Sequence, residues 1–336
     1  MIIPIINYSA LEFWLDGTDK YDFLVKKGTA DLSPVFPFSI SKRQASNLAK
    51  EYRLSLPLNL MAPVKRGRCF NNTYRLFSYP ASLPSNSFVE LTDHFGETVL
   101  VSSPEYCFLF AASVLPFYEV VRIGCMLCAI YVFDKTKAMQ QRSRIPVTST
   151  KKIQRFLQSA KGMRGVKTAS TALHYVLDNC NSPMEVSLAV LSSLPLYRGG
   201  YALEKPAMNI ILRLSSTVSN QLNIRQIRGD MVWENQKVVV EYDSNLSHLQ
   251  KEQHEYDKRR ATAITMSGYQ LVNLTAGQLA SFRAVDETFI MLRHLLGMKK
   301  KSSEMGKNEE QRWETVHEIL LKKKTLQQIL FDPRWY

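Results

Sequence analysis

Cysteine is scarce in this chain: five among 336 residues, an odd number with no disulfide spacing. That excludes a disulfide-stapled secreted scaffold and suits a reducing cytoplasm. Cys125-Met-Leu-Cys128 has the spacing of half a metal site, but no second Cys or His pair completes four ligands. Two small apolar residues in a buried helix account for it more simply. A long uninterrupted apolar run is also lacking. The most apolar stretch, Tyr106 to Phe133, is broken by Pro116, Glu119 and Arg122, so it reads as buried helix and not as a membrane span. Met1-Ile-Ile-Pro-Ile-Ile is too short for a secretory signal and reaches Asn7 without a basic residue. The expected setting is the cytoplasm, without a membrane partner.

Acidic residues are outnumbered, 30 against 43 Lys and Arg, for a formal net charge of +13 and a pI near 9.4. Between Lys135 and Lys167 they are absent. That stretch carries Lys135, Lys137, Arg142, Arg144, Lys151, Lys152, Arg155, Lys161, Arg164 and Lys167. Phosphate contacts supply most non-specific DNA affinity through counterion release, so such a stripe can hold a duplex without reading its bases. Lys151, Lys152 and Arg155 are the candidate contacts. The alternative is a solvated linker and helix surface. Length allows two domains, and 45% hydrophobic content is ample for burial.

Where carboxylates do occur, three of them fall in a pattern. Arg228-Gly-Asp-Met-Val-Trp-Glu234 and Lys237-Val-Val-Val-Glu-Tyr-Asp243 both read as strands, with Asn235-Gln236 as a two-residue turn between them. That turn sets Asp230 directly opposite Glu241 on one face, with roughly 5 Å between Cβ atoms. Two like charges there repel, and a sheet tolerates them when something positive lies between. Mg²⁺ held by one or two carboxylates plus phosphate oxygens is the usual candidate. The alternative is that one carboxylate points to solvent at a strand edge. Upstream, Ser182 is a plausible helix N-cap with Pro183 at the first helical position and Glu185 three residues after the cap, so Glu185 also reads as a capping-box residue. Downstream come a polar helix through Met266, a short strand over 269–274 and an amphipathic helix over about 276–296. The order helix, strand, hairpin, helix, strand, helix is an α/β layout.

With these pieces in place the chain resembles the PD-(D/E)XK nuclease superfamily, and within it the very-short-patch-repair-like endonuclease domains of bacteria. The resemblance rests on Ser182-Pro-Met-Glu185, Leu194-Pro195 with Gly199-Gly200, Arg228-Gly-Asp230, Val239-Val-Glu-Tyr-Asp243, His248, Asp257-Lys-Arg-Arg260 and Gly268-Tyr-Gln-Leu-Val, across roughly 176–297. It implies a restriction-endonuclease-like αβββαβ core and a DNA endonuclease that uses Mg²⁺ or Mn²⁺. It also implies that Glu185, Asp230 and Glu241 hold the metal. The family's usual lysine, two residues after the glutamate, is replaced here by Asp243. Its role then passes to another group, or the domain is a non-catalytic DNA-binding or antitoxin-like protein. Asp243 shares the face of Glu241 and is a third candidate acceptor. Arg228 lies on the face of Asp230 and can offset charge or hold a phosphate. His248 follows by a short loop, as catalyst or as a solvated histidine, and Lys251, Gln253 or Arg260 can reach back from the helix.

The N-terminal half reads as α+β, with helices over 9–15 and 41–53, strands near 75–79, 88–91 and 98–102, then the apolar helical region. Val101-Ser-Ser-Pro-Glu-Tyr-Cys-Phe-Leu109, Arg122-Ile-Gly124 and Pro146-Val-Thr-Ser149 are similar to N-terminal regions of relatives of abortive-infection type IV antitoxins. The expected organisation is a recognition or regulatory domain over 1–150, a basic connecting helix over 151–175, the nuclease-like domain over 176–298, and a polar linker with a C-terminal helix over 299–336. That last helix is expected to dock, bind a protein partner or self-associate.

Overall fold

The computed structural model describes residues 1–16, 25–63, 69–80, 82–91, 97–134, 140–243, 251–298 and 309–331, with backbone alone for 25–29, 134, 140, 251–254 and 309–317. The chain forms two compact units, Met1–Val176 and Leu177–Tyr336. Both mix helices with sheet.

In the N-terminal unit the strands are β1 (Ile2–Ile5), β2 (Val25–Ala30), β3 (Leu58–Ala62), β4 (Cys69–Phe70), β5 (Tyr74–Ser78), β6 (Phe88–Leu91) and β7 (Thr98–Ser102). They form one mixed sheet in the order β2-β6-β7-β1-β3-β5-β4. The Ile-rich β1 is central, parallel to β7 and antiparallel to β3, and Ile3 and Ile5 are buried. A hairpin of β8 (Tyr131–Asp134) and β9 (Gln140–Ser143) is separate from that sheet. The helices are α1 (Asn7–Leu15), α2 (Lys42–Glu51), α3 (Pro104–Val114), α4 (Phe117–Leu127), α5 (Thr150–Ser159) and α6 (Val166–Leu173). Ser41 caps α2 through a reciprocal capping box with Gln44, as its position before Lys42 predicts.

Two expectations change here. The apolar stretch from Tyr106 to Phe133 is not one helix but the pair α3 and α4 followed by β8. Pro116 lacks an N–H and biases Leu115 away from helical backbone, so the first helix stops at Val114. The connecting helix expected over 151–175 is two helices inside the N-terminal unit, separated by a turn with Gly162 and Gly165 at φ values of 85° and 87°. Cys125 and Cys128 are buried near the end of α4 and in no disulfide, in keeping with their apolar reading.

In the C-terminal unit the elements are α7 (Pro183–Ser193), β10 (Ala207–Leu212), α8 (Ser216–Leu222), β11 (Ile227–Trp233), β12 (Val238–Asp243), α9 (Lys251–Met266), β13 (Gln270–Thr275), α10 (Ala276–Leu279), α11 (Phe282–Leu295) and α12 (Glu309–Leu330). The sheet runs β10-β11-β12-β13, antiparallel for the first three strands and parallel between β12 and β13. A parallel pair needs a crossover, and α9 supplies it. Val232 and Val239, directly paired, pack with Ala263 and Ile264 of α9 and with Val218 of α8. The amphipathic helix expected over 276–296 is interrupted, because Ser281 starts α11 afresh by accepting the Ala284 N–H. Its apolar period crosses the break, since Leu279 and Val285 are both buried.

The C-terminal helix docks on its own unit. Lys323, Leu326, Gln327 and Leu330 are buried, and the Ser187 hydroxyl donates to the Leu330 carbonyl at 2.9 Å. Gly199 explains part of the Gly199-Gly200 motif: a Cβ there would lie 2.5 Å from the Lys322 carbonyl oxygen, at a φ of 87°. Of the alternatives expected for this helix, docking is the one seen, against α7 and the Leu196–Arg198 turn.

Candidate functional site

The hairpin has the register its turn predicts. Met231 pairs with Val240, Val232 with Val239 and Trp233 with Val238, around Asn235-Gln236, with Lys237 closing the turn at a φ of 55°. The paired register ends at Met231–Val240, and its continuation by one step sets Asp230 against Glu241. The Asp230 Oδ2 accepts the Tyr242 N–H at 2.9 Å.

The same row extends across the sheet. On β10, Met208 pairs with Met231 and Ile210 with Gly229, which brackets Asn209 opposite Asp230. On the other side Glu241 pairs with Asn273 of β13. Asn209, Asp230, Glu241 and Asn273 thus form one polar line over four strands. Asn209 has a left-handed φ of 54° and donates from Nδ2 to the Asn179 carbonyl at 2.9 Å and to the Glu185 carboxylate. Sequence reasoning missed Asn209. Its signal was a lone amide within the apolar strand Ala207-Met-Asn-Ile-Ile-Leu212.

Glu185 reaches this line from the first turn of α7. Ser182 caps that helix by accepting the Glu185 N–H at 3.1 Å, and the Glu185 carboxylate accepts the Asn181 N–H at 2.8 Å. The capping role is real, and it also fixes the carboxylate at the end of the polar line. Arg260, from α9, covers the line with its guanidinium. Its Nη1 lies 2.5 Å from Glu241 Oε2 and its Nη2 lies 2.7 Å from Glu241 Oε1, while Nη2 also donates to the Arg228 carbonyl. Such a fork on one carboxylate is the strong bidentate geometry.

One guanidinium does not balance the site. Burial, and then the charge of Asp230, push the Glu185 carboxyl up to about 7, against hydrogen bonds from Asn181, Asn209 and Ser182. Burial pushes Glu241 up to about 8; Arg260 opposes this, while Asp230, Asp257 and Glu185 add to it. Asp230 is also raised by burial, with the Tyr242 N–H and Arg260 pulling the other way. Three carboxylates therefore share one desolvated neighbourhood and feel one another's charge.

Other expected site residues stand apart. Arg228 contributes its carbonyl, not its guanidinium, and its side chain is exposed, as is Asp243 at the end of β12. His248 and the side chains of Lys251 and Gln253 lie outside the described residues. Lys151, Lys152 and Arg155 belong to the N-terminal unit. There they are exposed along α5, whose Ile153, Phe156 and Leu157 are buried. Arg144, within the same basic stretch, is a brace: it donates to the carbonyls of Trp14, Met126 and Ala129.

Hard carboxylate oxygens are the donors that Mg²⁺ and Mn²⁺ take, so the kind of donor fits such an ion. The resting arrangement is more closed. Among the described residues no group of three or more His, Cys, Asp or Glu side chains is disposed to hold a metal ion. Both oxygens of Glu241 are on Arg260 and one oxygen of Asp230 is on Tyr242. Compared with family models, with curated proteins and with solved structures, the chain matches none. Among the described residues no helix is long and apolar enough to cross a membrane.

Proposed function

We propose that the chain is a DNA endonuclease of the PD-(D/E)XK type, hydrolysing phosphodiester bonds with Mg²⁺ or Mn²⁺. The observation that carries this reading is the convergence of Glu185, Asp230 and Glu241, desolvated and charge-coupled, on a unit that runs α7, β10, α8, β11, β12, α9, β13, which is compatible with an αβββαβ core if α8 is an insertion after its first strand. Desolvated acids that raise one another's proton affinity oppose folding, and such clusters concentrate at functional sites. Asp230, Glu241 and Glu185 would hold the ion, which when bound polarises a phosphoryl oxygen and makes a bound water a better nucleophile. The chain's own groups do the positioning. Asn209 and the Asn181 N–H orient Glu185, the Tyr242 N–H orients Asp230, and Arg260 holds Glu241. The Arg260 guanidinium also suits a backbone phosphate.

A second reading has its own support. Asp243 occupies the position of the family's lysine, and Arg260 neutralises Glu241, which together suit a nucleic-acid-binding protein that has lost cleavage. A plasmid-nicking assay separates the two. The nuclease reading expects nicking that requires Mg²⁺ or Mn²⁺ and falls at least about 100-fold in Asp230→Asn. Metal-independent binding with no nicking by the wild-type protein selects the second reading.

A further inference from the structure

The N-terminal unit contains a cleft of about 310 Å³, between α3 and the turn that joins α5 to α6. We propose that this cleft binds one nucleotide, its base against the apolar wall and its phosphate on Arg164.

The lining divides by chemistry. Leu109, Phe110 and Met163 form an apolar side, while Asn7, Tyr106 and Arg164 bring polar groups to the same space. Phe110 is held at a fixed tilt by Tyr8, whose ring meets it edge to face at 5.0 Å and 88°. An aromatic ring fixed in plane is a stacking surface for a base of any identity. The Tyr106 phenol stays protonated, since burial and neighbouring groups push it up to about 12, so it can donate to a ring nitrogen or oxygen.

The walls are set by backbone. Gly165 has a φ of 87°, and a Cβ there would lie 2.8 Å from the Ser113 backbone nitrogen. Only glycine lets this turn press on α3, so the turn carrying Met163 and Arg164 is held against the helix.

Charge and size choose the ligand. Arg164 is exposed and lies between exposed Lys161 and Lys167, in a stretch without a single acidic residue. A guanidinium fork recognises phosphate oxygens bidentately. A bare phosphate would leave the apolar wall unmatched, and an apolar ring would leave the cation unmatched. The volume is at the small end of ligand pockets, which begin near roughly 300 Å³, so it takes a single unit and not an oligomer. A nucleotide, a flat base carried on a phosphate, matches both halves, either free or turned out of a strand.

The test uses the full-length protein and calorimetry with AMP, adenosine and ribose 5-phosphate, beside anisotropy with a duplex carrying one unpaired base and the same duplex fully paired. The expected result is that AMP binds more tightly than either fragment. Arg164→Gln should weaken it about tenfold or more, the loss of a bidentate phosphate contact. Met163→Trp, which fills the cleft, should abolish it. If the unpaired base adds affinity that both variants remove, the strand is the source; AMP binding without that preference makes it the free nucleotide. The proposal is overturned if wild type shows neither AMP binding at about 1 mM nor a preference for the unpaired base. Either fragment matching AMP, or either variant leaving wild-type binding unchanged, overturns it too. Asp230→Asn should leave AMP binding intact, so failure of the nuclease reading would show in the nicking assay alone.

Discussion

Two largely buried ion pairs among the described residues of the C-terminal unit are built to opposite ends. Lys323 sits 2.8 Å from Asp286 Oδ1, which also accepts the Tyr201 hydroxyl at 2.7 Å, while the ammonium lies 4.2 Å from the centre of the Tyr201 ring. Tyr201 in turn stacks on Phe289 at 4.5 Å. One cation meets one carboxylate, and the neighbours are an aromatic face and a hydroxyl. Arg260 and Glu241 have the better fork but the worse company, because Asp230, Glu185 and Asp257 add negative charge around them. The first pair is a closed lock for the C-terminal helix. The second is a group of carboxylates around one guanidinium.

Breaking the lock should cost the most stability. Lys323→Met leaves Asp286 without its buried cation, and removing one partner of a buried pair destabilises by about 3–5 kcal/mol. Urea denaturation should show that loss with an unaltered requirement for metal in nicking. Asp230→Asn should behave in the opposite sense, with equal or higher stability in metal-free buffer, because it removes a repelling charge. Equal losses in the two variants would mean that the two sites do not differ as argued.

The pH dependence sharpens the same contrast. Glu185 and Glu241 are raised in the folded state, from an ordinary 4.5 to about 7 and about 8. A raised carboxyl adds no penalty below the unfolded value, because both states are then protonated. As pH climbs from about 4.5 to 8 the unfolded chain ionises freely while the folded chain resists, so stability falls through that window. For Glu185 alone the fall is roughly 3 kcal/mol. Melting temperature followed from pH 4.5 to 8 should drop in wild type and drop less in Asp230→Asn. A flat profile in the wild type would contradict the burial of these acids.

How much of this was legible in the sequence follows from the kind of interaction. The register of the hairpin could be read because a two-residue turn and a period of two leave one pairing, and the structure has it from Trp233–Val238 to Met231–Val240, one step short of Asp230 and Glu241. Helix starts at Ser41, Ser182 and Ser281 are local, set by a hydroxyl and the next three residues. Ser281 was passed over because the apolar period continued through it. Arg260 was legible as a helix residue that can reach back to the hairpin, but its grip on both oxygens of Glu241, like the place of Asn209, was not. They join residues on separate strands and helices, and local sequence carries no distance between them. The central strand β1 was missed because Ile2-Ile-Pro-Ile5 is short and its partners, β3 and β7, are far along the chain.

A smaller effect tests whether Arg260 stands in for the metal. Arg260→Gln removes the fork from Glu241 without adding bulk, so Mn²⁺ should bind about tenfold more tightly, a gain of about 1.4 kcal/mol. Titration calorimetry without nucleic acid measures it directly. Unchanged affinity would place Mn²⁺ away from Glu241.

The smallest effect belongs to charges with no ion pair among the described residues. Lys151, Lys152 and Arg155 are exposed on the outer side of α5, whose inner side is anchored by Ile153, Phe156 and Leu157. Surface charges of this kind contribute little to folding, so replacing all three by Ala should leave the urea midpoint nearly unchanged. Their expected contribution is to DNA. Each phosphate contact releases counterion, and on B-DNA each lost contact should reduce the slope of log affinity against log salt by roughly 0.9. The loss should be about equal on unrelated sequences, because phosphate contacts carry no base information. Anisotropy across a salt series in the triple variant gives the number. An unchanged slope would assign the three side chains to solvent and leave the basic excess of this helix without a role in binding.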